Sequence, residues 1–374
     1  MGSPTTSTTT TPAAADGKTG VSKLNALFPH TVNPVIVSAP MFWTTNGVIS
    51  AEVSKAGGIG IIPAGFLFQP GSYQLTDLAT ELKAARETLG LADEPQTRIP
   101  VGVGFILAHP STEHFLETAL PVLQTHLPQA VWLFAPNPQD VAAGKIRRII
   151  EALHASGFVV MYQVGTVATA RGAAADGADV IIAQGIDAGG HQNAAGAGIV
   201  SLVPEVVDML KAEFADKETV ALAAGGVADG RGVAAALQLG ADGVVLGSRF
   251  CLAKEAWTPE FRRKLIQETV DGGTSTIKST FHDDIQATAI WPSVYDGRAI
   301  RGPYFEDHVA GVSFEENLKR YEVAKENKDN SRLVTWMGTG VGLINADAQP
   351  AAEIVRELRE EAKERIRSLH SAFQ

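Results

Sequence analysis

The sequence predicts an α/β protein, a (β/α)8 TIM barrel with additional C-terminal helices, on three observations. Eight short apolar, β-branched runs lie between residues 34 and 247, helical patterns alternate with them, and several of those helical patterns end in glycine. A doubly wound open sheet is the structural alternative to the barrel.

The predicted strands, in order, are "PVIVSA" at 34–39, "GIGII" at 58–62, "IPVGVGF" at 99–105, "AVWLF" at 130–134, "FVVMYQV" at 158–164, "ADVIIAQ" at 178–184, "TVALAAG" at 219–225 and "ADGVVLG" at 241–247. Between them lie helical stretches such as "SAEVSKAG", "STEHFLETALPVLQTH", "QDVAAGKIRRIIEALHASG", "VATARGAAADG", "VPEVVDMLKAEF" and "DGRGVAAALQLG". A terminal glycine suits a helix C-cap because it adopts the left-handed conformation without a Cβ clash. Beyond Arg249 the rhythm breaks, and residues 256–374 read as a helical segment that covers the barrel mouth, ending in an amphipathic helix from about Pro350 to Leu369. Residues 1–20 have no apolar core and no arginine, so they read as a disordered tail before a barrel at 21–255. "MGSPTT" also fits the loose pattern for N-myristoylation of Gly2, which a plain disordered start explains equally well.

Composition excludes several classes. A chain of 374 residues that is 45% hydrophobic and 19% charged can bury a full core. Its net charge of −10, with no cluster of Lys and Arg, argues against a nucleic-acid surface. No apolar run has the length of a membrane span. A single cysteine, Cys251, excludes an internal disulfide and fits a cytoplasmic location. Neither an HExxH pattern nor paired His and carboxylate spacing suggests a metal.

In a barrel of this kind the loops after the strands form the active face. The loops after the seventh and eighth predicted strands carry "AAGG" at 223–226 and "LGS" at 246–248. Glycine there lets backbone N–H groups approach an anion, so the pair predicts a phosphate site, with Ser248 adding a hydroxyl and Arg249 a charge. A tight strand-to-helix turn is the simpler explanation of Gly225 and Gly226. "APM" at 39–41 places a proline where no ladder bond is lost, followed by a polarizable side chain suited to a flat ring or to core filling. Gln184 ends the sixth strand with both donors and an acceptor, and His191 follows in "GIDAGGH", able to exchange a proton near neutral pH. His109 is placed near the mouth, whereas His114, His126 and His154 read as surface residues of helices. Trp43, Phe105 and Trp336 are candidate pocket walls or core.

Taken together, "APM", "SKAGGIG" at 54–60, "IIAQGIDAGGH" at 181–191, "AAGGVADG" at 223–230 and "VVLGSRF" at 244–250 resemble the nitronate monooxygenase family. The resemblance covers about residues 30 to 255, and "WMGTGVGLIN" at 336–345 is similar to the family's C-terminal segment. It implies an FMN-dependent oxidoreductase that converts alkyl nitronates, or nitroalkanes where accepted, with O2 into a carbonyl compound and nitrite. It further implies that Ala39, Pro40, Met41 and Gly104 lie by the flavin ring, and that Gln184, Gly189 and Gly190 contact the cofactor. Gly225, Gly226, Leu246, Gly247 and Ser248 would surround its phosphate, and His191 would be the catalytic base. Two departures stand out: Gly104 occupies a position where many members carry asparagine, and Gln192 and Asn193 follow the histidine where Arg-Gly is common. A fold and a flavin do not fix a substrate. An NAD(P)H-dependent reductase of quinones or enoyl thioesters, a flavin-binding protein without turnover and a sugar-phosphate barrel stay open from the residues alone, as does assembly into an oligomer.

Overall fold

The structure is a computed structural model that describes residues 20–374 other than 289, 328, 345 and 346. The expected tail and the Gly2 pattern lie outside the described residues, except for Gly20, which opens the helix Gly20–Leu27.

All eight predicted strands form. In chain order they are β1 (Ile36–Ser38), β2 (Ile59–Gly65), β3 (Ile99–Ile106), β4 (Pro128–Phe134), β5 (Val159–Val164), β6 (Val180–Gln184), β8 (Val220–Ala224) and β9 (Gly243–Leu246). Neighbours pair in parallel, and β9 pairs with β1, closing the barrel. The strand β7 (Gly190–Asn193) lies outside it.

Side-chain alternation sorts the strand residues into two layers. Val37, Ile59, Ile61, Trp132, Met161, Val180, Ile182, Leu222 and Val245 fill the barrel interior, and Leu24 of the first helix and Phe28 just after it join the same cluster. Ile36, Ile62, Val103, Val131, Val160, Ile181, Ala223 and Val244 face the helices. The parity has a consequence for the site. Gln184 continues the inward series of Val180 and Ile182, whereas Phe105 and Leu246 belong to the helix-facing layer.

The helices close a ring of their own. Helices 47–55, 73–88, 115–126, 145–155, 167–176, 199–213 and 230–238 pack in sequence, and the last helix, Ala351–Ala372, fills the gap between helices 230–238 and 47–55. The final helix is therefore the eighth of the barrel rather than part of a cover. Several of the ring helices stop as their sequences predict, with Gly57, Gly157, Gly177 and Gly240 at positive φ.

Between β9 and that eighth helix an insertion leaves the barrel and returns, its two ends joined by a parallel bridge of Ala253 with Gln349. It is not purely helical. β10 (Thr276–Ser279) and β11 (Tyr295–Ile300) pair antiparallel, and β11 pairs antiparallel with β7, giving a small sheet of order β10-β11-β7. In "YDGRAI" the alternation of buried Tyr295, Gly297 and Ala299 with less buried Asp296 and Arg298 is the strand signature. Helices Pro303–Val309 and Phe314–Glu326 complete the insertion over a cluster of Phe281, Ile285, Tyr304, Phe305 and Tyr321.

Arg359 locks the eighth helix in place. Its guanidinium, buried at 5% exposure, donates to the carbonyls of Val32, Pro34, Ala56 and Gly57 at 2.9–3.2 Å, tying the helix to the segments that precede β1 and β2. Replacing it by methionine keeps the apolar stem and removes four hydrogen bonds, with Gly57 O alone keeping a partner in Val32 N, so Arg359→Met is expected to lower unfolding free energy by about 3 kcal/mol in urea titration. A loss under about 0.5 kcal/mol, the size of an ordinary surface change, would show that the clamp is dispensable.

Candidate active site

The described residues gather chemistry at the carboxyl ends of the strands. His191 sits on β7, and β7 is held by the insertion: His191 stands opposite Gly297 of β11, with Gln192 opposite Asp296 and Gly190 opposite Arg298. Lys278 of β10 reinforces the junction, donating to the carbonyls of Asn193 and Ala194, each at 2.9 Å, and pairing with Asp296 at 3.3 Å. Burial still pushes the Asp296 carboxyl above the ordinary range, against the pull of Lys278.

Around His191 the insertion builds a box. Nε2 lies 2.9 and 3.0 Å from the two carboxylate oxygens of Asp283, which is itself only 5% exposed, and Thr288 Oγ1 donates to Asp283 Oδ1 at 2.9 Å. Trp291 stacks on the imidazole at 3.6 Å and 14°, and Trp336 lies at 4.6 Å and 48°. Gly297 makes this possible, because a Cβ there would come within 2.4 Å of the Trp336 indole. Next to Asp283, His282 is buried and its pKa is pushed down by desolvation, opposed by its hydrogen bond to Ile277 O. The neutral ring donates from Nε2 to Ile277 O at 3.0 Å and accepts from the Tyr304 hydroxyl at Nδ1, 2.9 Å away.

Gln184 is close by. Its Nε2 donates to His191 O at 3.2 Å, while its Oε1 is buried with no hydrogen-bond partner. A buried acceptor left unpaired costs free energy, so this oxygen suits a donor that the chain itself does not provide.

The glycine loops divide. Gly225 and Gly226 hold φ of 108° and 74°, and added Cβ atoms would meet Gly185 O at 2.8 Å and Asp187 Cβ at 2.9 Å, so the tight turn accounts for both. Gly189 is closed off by Gly338, whose nitrogen would lie 2.4 Å from its Cβ, whereas Gly190 (φ 71°) faces open space. Ser248 opens the short 3-10 helix Ser248–Leu252, and its hydroxyl accepts from Gly338 N at 3.1 Å while keeping its own proton to donate. Met41 packs beside Gly247 and 3.6 Å from the Cys251 sulfur, and Ala39 N donates to Leu246 O.

The side chains of Leu246 and Arg249 point elsewhere, and of the two readings of Phe105 the core one holds. Leu246 turns its side chain into the helix-facing layer, so only its peptide reaches the mouth side. Phe105 packs with Phe68 and Phe115 in that same layer. The Arg249 guanidinium is committed to Gln349 and Glu357, beside a cavity of about 530 Å³ between helix 230–238 and the eighth helix, where Asp229, Glu357, Glu361 and Glu364 offset Arg231 and Arg365. His109 stays on the mouth side as expected, in the loop after the carboxyl end of β3, where it packs near Phe66 and caps the short helix that follows, its Nδ1 accepting from Ser111 N at 3.1 Å. Trp43, by contrast, is exposed at the rim and packs on Phe42 at 4.5 Å.

Asp283, Thr288 and Trp291 are the residues that sequence reading misses. Asp283 lies 92 positions from His191, and no spacing rule links the two. Among the described residues no group of His, Cys, Asp and Glu could hold a metal, and no helix is long and apolar enough to cross a membrane.

The comparisons agree with this architecture. Residues 137–361 match the nitronate monooxygenase family. A nitronate monooxygenase of Neurospora crassa is 61% identical over 94% of this chain and 95% of its own, and one of Metarhizium robertsii is 33% identical over 90% and 92%. Among solved structures, FabK of Thermotoga maritima superposes with a TM-score of 0.70 at 24% identity over 94% of this chain and 98% of its own, and a nitroalkane oxidase of Streptomyces ansochromogenes with 0.69 at 23% over 92% and 99%. The chain belongs to the nitronate monooxygenase family, and it is an oxidoreductase on a (β/α)8 barrel.

Gly104 itself has a steric explanation. A Cβ at Gly104 would lie 2.7 and 2.8 Å from the Pro40 ring, so the glycine and the proline are packed as a pair. Gly104→Asn is expected to lower stability by about 1–3 kcal/mol through that overlap, measured by denaturant titration. An unchanged midpoint would mean that the loop after β1 moves aside without cost.

Proposed function

We propose that this chain oxidises alkyl nitronates with dioxygen, using FMN seated at the carboxyl ends of the barrel strands, and releases a carbonyl compound and nitrite. The observation that carries the reading is the buried, unpaired Gln184 Oε1 beside a histidine braced on the barrel face, in a chain 61% identical to a nitronate monooxygenase.

The residues fit the cofactor. Gln184 Oε1 would accept from a ring N–H, and Ala39, Pro40, Met41 and Gly104 would flank the ring, with Gly189 and Gly190 bringing main chain near it. Phosphate would be held by N–H groups around Gly225, Gly226, Gly247 and Ser248, where the first N–H groups of the 3-10 helix have no partner within that helix. Leu246 would contribute its peptide only. FMN supplies the electron transfer between nitronate and dioxygen.

The protein's own residues do the rest. Trp291 and Trp336 pack on the His191 ring. The imidazole takes an α-proton from a neutral nitroalkane, or donates a hydrogen bond to a nitronate when protonated. Pocket, cofactor and small substrate suffice, with no nucleic acid and no membrane span in the scheme.

The test uses the yellow protein as purified. Nitronate under air is expected to drive oxygen uptake with nitrite release, and anaerobic mixing with nitronate to bleach the flavin. Rapid bleaching by NADH with none by nitronate would replace this reading by the reductase. His191→Asn is expected to slow turnover of neutral nitroalkane roughly 10²- to 10⁴-fold, the usual scale of general-base loss. Oxygen uptake that is unchanged in this variant would remove His191 from the mechanism.

A further inference from the structure

We infer that Asp283 is a positioning residue that fixes His191 as the Nε2–H tautomer, so that Nδ1 is the atom that takes the α-proton of a neutral nitroalkane. The inference rests on His191 acting as base at the proposed site.

The geometry leaves little freedom. A carboxylate only accepts hydrogen bonds, and a neutral imidazole carries one N–H, so Nε2, within 3.0 Å of both Asp283 oxygens, is the protonated nitrogen. The lone pair then belongs to Nδ1. Asp283 cannot swing away freely, because it is 5% exposed and Thr288 Oγ1 donates to its Oδ1 at 2.9 Å. Nor can the imidazole flip easily, with Trp291 stacked at 3.6 Å and Trp336 at 4.6 Å.

The step balances without a redox partner. The α C–H bond of the nitroalkane breaks, its electron pair becomes the C=N bond of the nitronate, and the proton forms a new bond to Nδ1. The ring becomes a cation with the Asp283 carboxylate already in contact, so the charge that appears on proton transfer is met by one placed beforehand. A substrate supplied as nitronate has already lost this proton and asks the pair only for a hydrogen bond, not for a base. Asp283 therefore separates the two substrate forms.

The experiment has two arms. In the first, ¹⁵N NMR of labelled wild-type protein, at a pH where the ring is neutral, is assigned by comparison with the His191→Asn spectrum. The protonated shift is expected at Nε2 and the bare-nitrogen shift at Nδ1, and the reverse assignment would overturn the proposal whether or not the enzyme turns over. In the second, Asp283→Asn is expected to lower kcat/KM for neutral nitroalkane roughly 10²- to 10⁴-fold while nitronate oxidation stays within about fivefold of wild type. Asp283→Glu, which keeps the carboxylate, is expected to recover part of the loss. Equal losses on both substrates, a change below about twofold on neutral nitroalkane, or a wild-type enzyme that takes no proton from neutral nitroalkane would each sink the assignment. Failure of the first arm alone leaves nitronate oxidation standing, whereas no response to nitronate in wild type removes the proposed function itself.

Discussion

The pairing of β11 with β7 is the contact on which the site depends. β7 is four residues long and outside the barrel, so nothing in the barrel ladder fixes the direction of His191. That direction comes from chain nearly a hundred residues later, through the register that sets His191 opposite Gly297 and through Asp283 behind the ring. A short edge segment paired with one strand is marginal alone. Joined to β10 and β11, and tied by Lys278, it becomes a rigid platform. The barrel supplies the face, and the insertion supplies the aim.

Close packing at glycine positions lets the pieces meet. Gly297 admits Trp336, Gly189 admits the Gly338 backbone, and Gly104 admits Pro40. Each lies where two distant parts of the chain press together, so these glycines act by having no side chain. Only Gly190, among the glycines of the histidine loop, looks onto open space while holding a positive φ. That combination is what a backbone approach to a ligand requires.

The barrel was readable because its signals are local. β-branched runs, helix-end glycines and strand alternation each act within about ten residues, and all eight strands appear where those patterns place them. Inward parity even puts the Gln184 side chain on the interior side of β6, beneath His191 O. What escaped is non-local. The eighth helix arrives after an insertion, β11 was hidden in a loop-like composition despite the alternation of Tyr295, Gly297 and Ala299, and Asp283 meets His191 only through tertiary pairing. Motif proximity also misled at Leu246 and Arg249, where alternation or ion pairing turns the side chain toward another layer. Gly225 and Gly226 illustrate the remaining ambiguity of motifs, since one conformation serves both a tight turn and an anion cradle.

A crystal structure of the protein as purified, with its chromophore, is the most direct measurement. The account predicts the ring at the mouth against Gln184, its phosphate on the amides around Gly226 and Gly247, and the imidazole of His191 facing it with Asp283 at its far nitrogen. A ring bound elsewhere, or β11 detached from β7 with the imidazole turned to solvent, would contradict it.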